Sequence, residues 1–102
     1  MISSQWAADI RSTTERHAVE GLISLAAELA TVGDFEAAAA CLERVLASDG
    51  SNEEAAFRLA ISRAKAGHLA AALSFIDDYG RRRRDSLGVP LPDRFSELRA
   101  LI

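Results

Sequence analysis

Two glycines, Gly33 and Gly67, stand 34 residues apart, and the residues around them repeat in kind. Leu25-Ala26 precedes the first as Leu59-Ala60 precedes the second. Phe35 corresponds to Leu69, Ala38 to Ala72, Leu42 to Ile76 and Val45 to Tyr79. A period of this length marks a supersecondary unit that cannot bury its apolar face alone, so copies must stack. On both sides of each glycine the apolar residues recur mostly at three- and four-residue spacing, the mark of amphipathic helix. Each period therefore reads as helix, turn, helix. With only 6 glycines and 2 prolines, a turn-rich β fold is excluded. The 102 residues leave room for a single domain.

Local signals agree with the period. Apolar positions Trp6, Ile10, Leu22, Leu25, Ala26, Leu29 and Val32 define the first helix. It either runs unbroken over about 4–32 or restarts at a capping box, Ser12-x-x-Glu15. The unbroken helix is expected, because no proline interrupts it. Gly33 should end it in left-handed conformation. Asp34 caps a second helix that buries Phe35, Ala38, Leu42, Val45 and Leu46 and stops at Gly50. Asn52 caps a third, with Glu53 and Glu54 at its positive end. A fourth follows Gly67, runs through four arginines and ends at Gly88. Pro90 and Pro92 prevent its continuation. Asp93 caps a last helix carrying Phe95, Leu98, Leu101 and Ile102.

Period and positions together resemble the tetratricopeptide repeat. The expected architecture is all-α: one domain over 1–102, with antiparallel helical hairpins at 19–52 and 53–86 and a closing helix at 93–102. About a fifth of the chain is alanine, which buries little area per residue. The register gives that alanine a purpose, since Ala26, Ala38, Ala60 and Ala72 fall where paired helices must approach closely.

A second resemblance lies in the order of motifs toward the end of the chain. These are Ala66-Gly67-His68, Ala71-Ala72-Leu73, Tyr79, the arginines, Leu87-Gly88-Val89-Pro90 and Glu97-Leu98-Arg99-Ala100-Leu101. Together with Trp6-Ala7-Ala8-Asp9-Ile10-Arg11, they resemble the bacterial transcriptional activator domain. That domain is a tetratricopeptide-like module of the Streptomyces antibiotic regulatory protein type of regulators. The resemblance implies a non-catalytic protein–protein interaction domain that docks or dimerises an attached DNA-binding domain. It implies protein partners: that DNA-binding domain, a second copy in a homodimer, or the transcription machinery. Regulators of this type carry a winged-helix domain that this sequence does not contain, so an excised domain and a stand-alone relative both stay open. The alternative is a stand-alone tetratricopeptide adaptor or secretion-type chaperone that binds a protein segment.

Charge and motif content narrow the function further. Residues 1–50 carry 3 basic and 8 acidic side chains, while residues 81–102 carry 6 and 3. The net charge of -3 argues against non-specific nucleic-acid binding by the whole surface, and no direct sequence-specific DNA binding by this segment is expected. No phosphate loop, metalloprotease motif or nucleophile elbow is present, so no enzyme, cofactor or metal is expected. His17 and His68 are isolated, and Cys41 reads as a packed small side chain. MISSQWAADI is not a secretory leader, and the uncharged stretches are too short to span a bilayer. A cytoplasmic protein with no membrane contact is expected.

Three groups of residues are candidates for partner binding. Ile23, Ala27, Phe57 and Ile61 form an apolar strip on the inner face of the repeats, which needs a cover. The closing helix is the expected cover, with a second copy or another domain as the alternative. Arg81, Arg82, Arg83 and Arg84 form a basic run. They read either as a solvated face, with Asp77–Arg81 and Asp78–Arg82 pairs, or as a docking surface. Trp6 reads as core or as an anchor between domains.

Overall fold

The computed structural model describes the backbone of residues 3–102 and the side chains of residues 13–102. The side chains of Trp6, Ile10 and Ser12 lie outside the described residues. Five helices follow in order: α1 (Ser3–Thr31), α2 (Phe35–Ser48), α3 (Glu53–Lys65), α4 (Leu69–Leu87) and α5 (Asp93–Leu101). No strand occurs among the described residues. Each of the first four helices packs on the next, and α5 closes the far end.

The equivalence of Gly33 and Gly67 reaches the level of single hydrogen bonds. Gly33 N–H donates to Ala30 O at 3.0 Å and Asp34 N–H to Leu29 O at 2.9 Å. The second turn repeats this, Gly67 to Ala64 at 3.1 Å and His68 to Arg63 at 2.9 Å. Both are Schellman closures, which need a left-handed residue at the glycine. The φ angles are 82° and 92°. After each turn the chain re-enters helix at once, capped by Asp34 on Ala37 N–H in the first case. His68 holds the equivalent place without a side-chain cap. Its Nε2 instead lies 2.9 Å from Glu36 Oε1, joining the starts of α4 and α2.

The junction alanines are where close approach requires them. Ala26 is 2% exposed, and Ala38, Ala60 and Ala72 are fully buried. Around them the core forms two connected parts. Leu42, Val45, Ala55 and Leu59 join α2 to α3. Ala56, Ile76, Tyr79 and Phe95 join α3, α4 and α5. Phe95 is the largest fully buried side chain among the described residues. It stacks on Tyr79 at 4.9 Å between centroids and meets Phe57 edge-on at 5.4 Å.

Several expectations need correction. Leu25 and Val32 face solvent, at 44% and 77% exposed, because α2 reaches only one side of α1. With 29 residues α1 is roughly 44 Å long, about twice the length of the 14-residue α2. Its overhang leaves residues 13–18 exposed. The helix runs through Ser12 and Glu15 without a break, as continuity favoured. α2 stops at Ser48, and Asp49 rather than Gly50 takes the terminal position, its N–H donating to Val45 O. Gly50 has no positive φ. Asp93 opens α5 from within its first turn, and Pro92 occupies the cap position. Leu101 points outward, 85% exposed, so the closing helix covers through Phe95, Leu98 and Ile102 only.

Candidate functional site

The inner-face residues do not form one strip. Phe57 and Ile23 meet different neighbours, while Ala27 and Ile61 border one cleft. Phe57 is half-buried under α5, against Phe95. Arg94 lies over the Phe57 ring at 4.5 Å and reaches Glu53 Oε2 at 2.9 Å and Glu54 Oε2 at 3.5 Å. The closing helix therefore covers this end by aromatic packing and seals it with an ion-pair network. Ile23 sits farther back on α1, in a shallow hollow shared with Glu20, Ser48 and Asn52.

Ala27 and Ile61 stay uncovered. They share a cleft of about 380 Å³ with Ala30, Phe35, Arg58 and Lys65. α1 supplies the small wall: Ala26, Ala27 and Ala30 leave room that larger residues would fill. α3 supplies Ile61 as the apolar wall and Arg58 and Lys65 as the rim. Lys65 Nζ lies over the Phe35 ring at 5.6 Å. Arg58 Nε donates to Glu54 Oε1 at 2.6 Å. That hydrogen bond, helped by Arg94, holds the Glu54 carboxyl below its ordinary value of 4.5. The cleft is open, mostly apolar and basic at its edge. It can hold an apolar side chain or short segment whose flanks carry acidic or carbonyl acceptors.

The basic run divides in the same way. Asp78 pairs with Arg81 at 3.1 Å, three residues on, and Asp77 with Arg99 of α5 at 3.3 Å. Neither expected four-residue pair forms, because α5 lies close enough to take Asp77. Arg82 Nε instead donates to the Asp78 carbonyl at 3.4 Å. Arg83 turns inward, donating to the Tyr79 hydroxyl at 3.2 Å. Four successive helix positions point in four directions, so the run is no single stripe.

The network of Glu53, Glu54 and Arg94 was beyond sequence reasoning, since Arg94 stands 40 residues from Glu54. Of the cleft, the inner-face pattern pointed to Ala27 and Ile61. Among the described residues no group of histidine, cysteine or acidic side chains could hold a metal ion. No described helix is long and apolar enough to cross a membrane. Cys41 is half-buried against the first part of the core.

Stacked antiparallel hairpins closed by identical glycine turns, with an open cleft between first helices, define a helical-repeat interaction module. The tetratricopeptide repeat family matches residues 29–88, more than half of the chain, and the protein belongs to that family. Its repeats are interaction modules for other proteins, and protein is the partner class that the family supports. Searches of curated proteins and of solved structures gave no match.

Proposed function

We propose that the chain is a non-catalytic docking domain of a bacterial transcriptional regulator, acting in the cytoplasm. It positions or dimerises an attached DNA-binding domain and makes no sequence-specific DNA contact itself. Its organisation would be two repeat units, 19–52 and 53–86, closed by 93–102. The observation that carries the reading is the uncovered apolar cleft at Ala27 and Ile61. A cleft of this kind loses free energy while it faces water and gains it when a partner fills it. The order of motifs from Trp6 to Leu101 adds the regulator context. In this reading Ile23 and Trp6 extend the contact along α1. Phe57 supports it from beneath α5, and of the basic run Arg81–Arg84 the exposed Arg82 and Arg84 offer charge to an acidic surface.

The reading is tested by inspecting the gene's reading frame for a winged-helix segment next to this one. That segment is then titrated against the purified domain by calorimetry and by NMR. Saturable binding that perturbs Ala27 and Ile61 resonances supports the proposal. Binding instead to a segment of a neighbouring secretion component would replace it with the chaperone alternative. Tight, competitor-resistant binding of promoter DNA to the isolated domain would also overturn it.

A further inference from the structure

We infer that a second hollow, where the α2–α3 loop meets the end of α4, is a receptor for a single phosphate-monoester oxyanion. This inference does not rest on the regulator reading. The hollow has a volume of about 250 Å³. Gly50 and Ser51 line it from the loop, and Arg82, Arg83 and Ser86 line it from α4. It lies away from the Ala27–Ile61 cleft and shares no lining residue with it.

The Nη groups of Arg82 have no partner among the described residues, while its Nε donates to the Asp78 carbonyl at 3.4 Å. The Arg83 side chain is 19% exposed, and its Nε is buried without a hydrogen-bond partner. One Nη donates to the Tyr79 hydroxyl, and the guanidinium lies over the Tyr79 ring at 5.6 Å. These contacts fix the plane of the fork. The nearest carboxylate, Glu53 Oε1, is 3.9 Å away, while the other oxygen of Glu53 is held by Arg94 at 2.9 Å. Arg82 has no ion pair among those found in the described residues, because Asp78 gives its carboxylate to Arg81. Arg82 and Arg83 thus both border the hollow, with the Glu53 carboxylate 3.9 Å from Arg83 and the Asp49 carboxylate held on Ser51 and Asn52. A planar guanidinium fork matches the oxygens of a phosphate, and desolvation strengthens the match.

The remaining walls fit the same ligand. Ser86 supplies a hydroxyl. Ser51 has its own donated to Asp49 Oδ1 at 3.1 Å, so it brings only its backbone N–H to the hollow. Gly50 has no side chain to block the mouth. Leu87, 60% exposed, forms an apolar lip suited to the methylene of a phosphorylated side chain. A nucleic-acid backbone fits less well. It needs a row of cations, whereas Arg81 is paired elsewhere and the net charge is -3.

The test is an NMR titration of the ¹⁵N-labelled full chain with inorganic phosphate at constant ionic strength, detecting arginine Nε–H groups. Saturable shifts of Arg82 and Arg83 Nε–H and of the Gly50 and Ser86 amides are expected, with none from chloride. Arg82→Gln, at an exposed position, should weaken phosphate binding about tenfold or more with the melting temperature unchanged. Equal shifts from chloride, unsaturable shifts, or full phosphate affinity in Arg82→Gln would overturn the site. N-acetyl-phosphoserine amide then identifies the source. Binding at least as tight as that of phosphate assigns the site to a phosphorylated side chain of a partner. Binding of phosphate without binding of the phosphoserine amide would overturn the monoester assignment. A short single-stranded oligonucleotide that binds more tightly than both would overturn the monoester assignment.

Discussion

Ala38 and Ala72 show how much a single side chain decides in this fold. Both are fully buried at equivalent places after the two glycine turns. A larger residue there must push two helix axes apart or leave its preferred rotamer. Ala38→Leu or Ala72→Leu should therefore lower stability by about 1–3 kcal/mol. Thermal unfolding of either variant measures this, and an unchanged melting temperature would show that the two alanines do not share one register. These positions were legible in the sequence because the period around Gly33 and Gly67 identifies them twice. Leu25 and Val32 were not. Their spacing puts them with the apolar residues of α1, but exposure depends on how far α2 reaches around it. Local periodicity cannot report the width of a neighbouring helix.

At the scale of elements, α5 decides how the second hairpin ends. Phe95 inserts between Phe57 and Tyr79, and Arg94 and Arg99 pair with acids on α3 and α4. The aromatic insertion dominates. Exposed ion pairs each contribute little, about 0–1 kcal/mol, whereas Phe95→Ala should cost about 3–5 kcal/mol. Removing residues 93–102 should go further and cause aggregation, because it exposes Phe57 and Tyr79. Light scattering and denaturant unfolding of the truncated chain check this, and a soluble, equally stable product would contradict it. The ion pairs leave a smaller, pH-dependent signature. Arg58 and Arg94 lower the Glu54 pKa in the folded state. The stability from Glu54 is therefore full above its ordinary value of 4.5 and is lost as the pH falls through the lower folded value. Glu54→Gln should flatten that acid limb in urea midpoints measured from neutral to acidic pH. The existence of α5 was readable from Pro90, Pro92 and the apolar residues after them. Its docking partners were not, since they come from residues about 20 to 40 positions earlier and depend on where the helix lands.

For the whole molecule, the central point is a division of surfaces. The described chain extends 54 × 36 × 17 Å, a slab about two helices thick. So thin a body has two broad faces and few places to hide apolar surface. One end is closed by α5, while the cleft between α1 and α3 stays open. The sequence pointed to the inner face as a continuous strip of Ile23, Ala27, Phe57 and Ile61. Only Ala27 and Ile61 share the cleft. Helix spacing predicts which residues lie on one side of a helix, but not the angle at which two such sides meet. A site used for binding and not for folding should tolerate a change that destroys its chemistry. The direct measurement is Ile61→Asp, followed by thermal unfolding and by calorimetric titration with the DNA-binding segment proposed as its partner. A melting temperature within a few degrees of the parent together with lost binding is the predicted result. Undiminished binding to the folded variant would contradict the assignment of the cleft as the docking surface.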